Sequence, residues 1–257
     1  MSKKLKILVS NDDGIDSPGI FALVESLLEI AEVIVVAPDR QQSAVGHSLT
    51  ISNPLRVTHF HRDGKMFGYS INGTPSDCVK IAISELVGDR PDLVISGINH
   101  GQNTAINILY SGTVSAATEG MLSGIPAMAI SLASHSYEAD MSYAAKVAQK
   151  LALEMVNLTF PIGTLLNVNV PSISEDNIKG MKVVKHNSTI WKDAYERRKD
   201  PFGREYYWFS GEYSETENSN DYDDIALSEG YVTINPIHYD ITNIKFLNEI
   251  KFLEKIY

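Results

Sequence analysis

The residues best suited to chemistry fall in three short polar clusters, each directly behind an apolar run. Asn11-Asp12-Asp13-Gly14 follows residues 5–10. Asp39-Arg40-Gln41-Gln42-Ser43, with Gly46-His47-Ser48, follows 32–37. Gly97-Ile98-Asn99-His100-Gly101 and Asn103 follow 92–96. Adjacent carboxylates such as Asp12 and Asp13 repel each other unless a cation or protons compensate them. A shell mixing carboxylate, hydroxyl and amide oxygens suits Mg²⁺ or Mn²⁺, whereas zinc prefers nitrogen and sulfur. Alone, the Asp-Asp pair reads as a solvated turn; two further clusters of oxygen donors shift the reading to a metal. Tyr110-Ser111-Gly112-Thr113-Val114-Ser115 then leads into a helix of small residues. Free N–H groups at a helix start, with hydroxyls beside them, can hold a phosphate, although an ordinary Ser/Thr N-cap is the plainer alternative.

These clusters need elements to position them. The runs 5–10 (LKILVS), 32–37 (EVIVVA) and 92–96 (DLVIS) are short, apolar and β-branched, the mark of strands buried on both faces. Ser17-Pro18 supplies an N-cap and a first-turn proline, and Ile20, Leu23, Val24, Leu27 and Leu28 follow at helical spacing. Residues 51–60 and 66–71 read as a meander about Asp63-Gly64, and Thr74-Pro75 opens a second helix. A helix over 113–124, a strand over 126–132, a long helix over 137–157 and a strand over 165–170 follow. Alternating strands and helices of this kind predict an α/β fold, a Rossmann-like, mostly parallel sheet with helices on both faces. In such sheets ligands bind beyond the carboxyl ends of the strands, at a switch point, and all three clusters lie at strand ends. From about 185 the character changes. Residues 191–209 are aromatic and charged, with a turn signal at Asp200-Pro201-Phe202-Gly203, and predict a protruding β-hairpin. Residues 212–224 read as an acidic solvated loop and 246–257 as a short amphipathic helical tail. The expected division is 1–185 as the core carrying the metal and phosphate site, and 186–257 as a hairpin and oligomerisation segment packed on it.

Composition removes several classes of function. The 257 residues are 44% hydrophobic and 21% charged, enough for one large core. A formal charge of −10 argues against duplex nucleic acid as a partner. Cys78 is the only cysteine, so no internal disulfide forms and a reducing compartment fits. No apolar run approaches the roughly 20 residues of a membrane span, and the expectation is a cytoplasmic protein.

Several segments together resemble the SurE family of 5′- and 3′-nucleotidases: ILVSNDDGIDSPGI, APDRQQSAVGHSLT, INGTPSDCVKIAI, PDLVISGINHGQN, YSGTVSAATEG and, near the end, GYVTINPIHYDIT. Carried over residue by residue, the resemblance implies that Asp12, Asp13, Ser43 and Asn99 hold one divalent metal ion per subunit, Mg²⁺ or Mn²⁺. It also implies a nucleoside monophosphate substrate, with 3′-nucleotidase and short-chain exopolyphosphatase activity left open. Dimers or tetramers with an exchanged C-terminal segment are expected as well. Members often carry a glycine soon after the second asparagine of GINxGxN, where this chain has Asn103-Thr104-Ala105. On this reading Asp12 also orients or deprotonates the attacking water, while Asn103, Ser111, Gly112 and Thr113 bind phosphate or substrate.

Three rivals remain. A haloacid-dehalogenase-type phosphatase needs an aspartate nucleophile where this chain has Asn11. Gly46-His47-Ser48-Leu49-Thr50 is a near miss to the G-x-S-x-G of a serine hydrolase using Ser48; it lacks the second glycine and enters a meander, not a helix. A non-enzymatic metal/nucleotide-binding sensor would use the same residues. His47, His100 and His238 each invite a catalytic role, but a lone histidine is more often a hydrogen-bonded packing residue, the reading adopted for His238. Asp77 is first of all part of a helix start.

Overall fold

The computed structural model describes residues 4–214 and 219–256. The first strand, β1 (Leu5–Ser10), is followed by α1 (Pro18–Leu28), β2 (Ala31–Pro38), the hairpin β3 (Val57–Arg62) and β4 (Lys65–Ile71), and α2 (Pro75–Ile81). Then come β5 (Leu93–His100), α3 (Gly112–Leu122), β6 (Ala127–Leu132), α4 (Ser142–Met155), β7 (Thr164–Val170) and β8 (Met181–Val183). The long hairpin β9 (Ile190–Lys199) and β10 (Glu205–Ser214), α5 (Asp223–Ser228), β11 (Val232–His238) and α6 (Ile244–Glu249) complete the chain.

Nine strands form one sheet in the order β3-β4-β2-β1-β5-β6-β7-β11-β8, and β9 and β10 form a separate antiparallel pair. Within the large sheet only the β3–β4 and β7–β11 pairs are antiparallel. Period-two alternation sends the two faces into two cores. Ile7, Val9, Ile95, Met128 and Ile130 pack with Ile20, Leu23 and Leu27 of α1 and Ala144 and Ala148 of α4. Leu8, Val94, Ala127 and Ala129 pack with Val79 of α2 and Val114 and Ala117 of α3. Helices therefore cover both faces, as the apolar strands require. The chain leaves β1 toward β2 and resumes at β5 on the opposite side, so the switch point lies between β1 and β5.

Local chemistry moves several boundaries. The expected strand over 51–60 begins only at Val57, because Ser52-Asn53-Pro54 interrupts it and Asn72 Oδ1 accepts from the Arg56 N–H at 2.6 Å. The helix expected from 137 begins at Ser142; Ala139 N–H closes a turn on the Ser136 carbonyl, and Asp140 Oδ1 takes the Ser142 N–H at 2.8 Å. The acidic loop expected over 212–224 is part strand and part helix, with 215–218 outside the described residues. Beyond the hairpin, β11 returns to the large sheet between β7 and β8. The tail forms α6 and one 3-10 turn over Lys251–Lys255, with no buried residue in either; Tyr257 lies outside the described residues.

Candidate functional site

Asp12, Asp13, Ser43, Asn99, Asn103 and Ser111 meet around one cavity of about 490 Å³ at the switch point. The first cluster is shaped by Asn11, whose Nδ2 donates to the Gly14 carbonyl at 2.9 Å and to Ser17 Oγ at 2.8 Å. That buried amide folds the turn so that both aspartates stand beyond the end of β1. Ser17 duly heads α1, but its hydroxyl serves Asn11 and makes no capping bond.

Asp12 is buried, and the Thr113 hydroxyl donates to its Oδ1. Burial pushes the Asp12 carboxyl up to about 6; the Thr113 bond opposes the rise and the neighbouring Asp13 charge adds to it. Gly112 brings α3 this close. A Cβ there would meet Asp12 Cβ at 2.7 Å and Asp12 Oδ2 at 2.9 Å, so no larger residue fits without displacing the carboxylate. Asp13 is also buried; Gln41 Nε2 donates to its Oδ1 at 3.3 Å, and the His100 N–H and Nδ1 both lie 3.1 Å from its Oδ2.

The loop after β2 is laid over the site by backbone contacts. The Gln42 N–H donates to the Asp12 carbonyl at 2.7 Å and the Gly46 N–H to the Tyr110 carbonyl at 3.1 Å. Ser43 is exposed on this loop, at the cavity wall. Farther along, His47 Nε2 pairs with Glu119 Oε1 at 2.7 Å, and Lys80 joins the same carboxylate at 3.2 Å. Burial works to raise the Glu119 carboxyl, but its bonds to His47 and Lys80 outweigh that and hold it below the usual range.

Asn99 Nδ2 donates to the Gly101 carbonyl at 2.7 Å, which leaves Oδ1 as the atom able to serve a cation. Asn103 Nδ2 is likewise committed, to Ser131 Oγ at 2.8 Å. Ser111 caps α3 by accepting the Val114 N–H at 3.1 Å. Gly112 and Thr113 do not line the cavity, and the Thr113 hydroxyl is taken by Asp12; what α3 offers a ligand is its positive N-terminus. Ser48, Asp77, His47 and His238 also lie outside the lining. Ser48 accepts the Thr74 hydroxyl on its carbonyl, and Asp77 accepts the Thr50 and Thr74 N–H groups, closing the capping box of α2.

Sequence reasoning missed the support of residues 101–110. The Asn103 N–H donates to Asn169 Oδ1 at 2.7 Å, while Asn167 and Asn169 donate back to the Asn103 carbonyl at 2.7 and 3.1 Å. Asp223, fully buried, takes the Ala105 N–H at 3.0 Å and the Asn187 N–H at 3.1 Å. Burial raises the Asp223 carboxyl, against the pull of those two bonds. Ala105 has φ 48°, a left-handed conformation that glycine adopts at less cost. The asparagine ladder had a visible signal, two amides at period two inside the apolar run LLNVNV. Asp223 had none.

Among the described residues no lysine or arginine lines the cavity to compensate the two buried carboxylates. Nor does any group of three or more His, Cys, Asp or Glu among them stand ready to hold a metal, so any cation here would need hydroxyl and amide oxygens to complete its shell. Asp12, Asp13, Ser43 and Asn99 supply such a mixed set and fit a hard divalent ion.

A mostly parallel α/β sheet with an acidic, oxygen-lined cavity at its switch point, beside a helix N-terminus, defines a Rossmann-like α/β protein. A family model described as Survival protein SurE matches residues 7–193, and the chain belongs to the SurE family. It is 44% identical over 255 residues to the 5′-nucleotidase SurE of Christiangramia forsetii, covering 96% of each chain. It is also 44% identical over 252 residues to the 5′-nucleotidase SurE of Carboxydothermus hydrogenoformans, covering 96% of this chain and 95% of that one. The crystal structure of the SurE protein from Aquifex aeolicus superposes with a TM-score of 0.85 at 40% identity, over 97% of this chain and 99% of that one.

Proposed function

We propose that this protein is a divalent-metal-dependent 5′-nucleotidase that hydrolyses nucleoside monophosphates to nucleoside and phosphate. The observation that carries the reading is the pair of buried, adjacent carboxylates at the switch point, with no lysine or arginine among the described residues of the cavity wall and a helix N-terminus beside them. Relatives that match along nearly the whole chain bear the name 5′-nucleotidase. Asp12, Asp13, Ser43 and Asn99 would hold one Mg²⁺ or Mn²⁺. Such an ion would supply Lewis-acid chemistry to the hydrolysis of the phosphate ester.

The remaining steps belong to the chain. Thr113 occupies Asp12 Oδ1, which leaves Oδ2 to orient the attacking water and accept its proton. Gln41 and His100 hold Asp13 from both oxygens, fixing the carboxylate before substrate arrives. Ser111, which lines the cavity at the start of α3, would steady the phosphate oxygens as charge builds in the transition state, with the positive end of the helix behind it. Asn103 Oδ1 adds an acceptor for the substrate. No side chain is required to carry a covalent phosphoryl group.

Residues 1–185 carry this chemistry in the proposal. Residues 186–257 serve mainly as contacts between subunits of a dimer or tetramer, while β11 completes the sheet. Exposed Tyr195, Tyr207, Trp208 and Phe209 on the hairpin, and Phe246, Phe252 and Leu253 on the tail, support that assignment. Among the described residues no helix is long and apolar enough to cross a membrane; the lone, buried Cys78 accords with a cytoplasmic setting. The test is a matrix of phosphate release across divalent metals and phosphate esters. The proposal expects turnover of nucleoside 5′-monophosphates with Mn²⁺ or Mg²⁺ and none in excess chelator; binding without turnover under every condition would leave a sensor instead.

A further inference from the structure

One part of the cavity wall has no place in the phosphate chemistry. Like Tyr110, which is 57% exposed, Tyr137 lines the cavity and is 59% exposed. Its position is nevertheless fixed. The hydroxyl donates to Gln41 Oε1 at 3.0 Å, and the ring packs on His100 with centroids 5.0 Å apart and planes tilted by 38°. Gln41 and His100 are the two residues that hold Asp13, so Tyr137 closes a ring of four side chains of which that carboxylate is one. One amide group, that of Gln41, separates the phenol from the carboxylate. The result is a rigid aromatic surface at a set remove from the reacting centre.

We infer that Tyr137 is the specificity-determining residue that receives the nucleobase, by stacking and not by reading the base edge. The inference rests on the nucleotidase reading above. Stacking tolerates every base because each has a π-face. The ring should therefore distinguish nucleotides from other phosphate monoesters while discriminating little among adenine, guanine, cytosine and uracil. The phenol hydroxyl is spent on Gln41 and has no donor left for base recognition. Its function is to hold the ring in place, a task the His100 contact shares.

The test compares kcat/KM for adenosine 5′-monophosphate and for ribose 5-phosphate, which lacks a base, in the Mn²⁺-loaded full-length protein. In Tyr137→Ala the ratio of the two should fall by roughly 5- to 150-fold, mainly through KM for the nucleotide. Tyr137→Phe, which keeps the ring and its packing on His100, should hold most of the wild-type ratio. Unchanged thermal unfolding would show that both exposed-site variants fold. An unaltered ratio in Tyr137→Ala would overturn the inference. Equal losses in the Ala and Phe variants would also overturn it, by assigning the effect to the hydroxyl's hold on Gln41. Should the wild type itself show no preference for the nucleotide, the nucleotidase reading falls as well, an outcome separable from the other two.

Discussion

Asp12→Asn should make the metal-free protein more stable at alkaline pH and remove its response to metal. The Asp12 carboxyl stands at about 6 in place of 3.8, pushed up by burial with the Asp13 charge adding to the effect. A displacement of that size is worth about 3 kcal/mol between the protonated and ionised forms. Because the folded value lies above the unfolded one, the protonated group favours the fold below about pH 4, and that benefit is lost as pH rises through about 6. At pH 8 the ionised carboxylate therefore works against the metal-free fold. Asparagine keeps an oxygen to accept the Thr113 hydroxyl and carries no charge. For a chain of this length, roughly 3 kcal/mol corresponds to a Tm rise of about 6 °C at pH 8, shrinking toward zero at pH 4. Added Mn²⁺ should reverse the order once it reaches about a thousand times its Kd, where it stabilises the wild type by about 4.1 kcal/mol. Thermal unfolding at the two pH values, with chelator and with Mn²⁺, reads all of this. A variant less stable than wild type at pH 8 without metal, or equally shifted at both pH values, would refute the reasoning.

Other substitutions probe the supports of the site. Gly112→Ala puts a Cβ 2.7 Å from Asp12 Cβ and 3.1 Å from Pro75 Cγ, so kcat should fall on the order of 100-fold while circular dichroism stays native. Asp223→Ala strands the buried N–H groups of Ala105 and Asn187 and that of Asp224. Each costs roughly 1–3 kcal/mol, so denaturant unfolding should show a loss of roughly 3 kcal/mol or more, with KM raised because Asn103 rides on the loosened segment. Truncation after Asn243 removes a tail with no buried residue among its described residues, so light scattering should report a smaller assembly from a stably folded core.

Period and punctuation made much of this fold legible. LKILVS, EVIVVA and DLVIS are too short and too apolar to be anything but buried strands, and the polar clusters behind them lie at one sheet edge because parallel strands share a direction. The same logic gathered Asp12, Asp13, Ser43 and Asn99 around one cavity. Contacts distant in sequence were not legible. Nothing local announces that Asp223 will hold Ala105, 118 positions away, or that Thr113 will spend its hydroxyl on Asp12, 101 positions away. Boundaries failed where side chains compete with the backbone, as at Ser136 and Asp140 ahead of α4. β11 went unread as a strand: Pro236 and the polar Thr233 and Asn235 interrupt its apolar run, and only its place between β7 and β8 settles it. The aromatic hairpin was plain from composition and its turn, while the side chain of Trp191 lies outside the described residues.

The most direct test of the central claim is phosphate release from a nucleoside 5′-monophosphate by the purified full-length protein. It would be stripped with chelator and then resupplied with Mn²⁺, beside Asp13→Asn treated identically. The amide of that variant keeps the shape of the side chain and a partner for His100, but it removes one of the two charges that face the cation. The account predicts no release from either stripped protein, recovery in the wild type on adding Mn²⁺, and at least roughly 100-fold less recovery in the variant. Full activity in the stripped wild type, or equal recovery in Asp13→Asn, would contradict it.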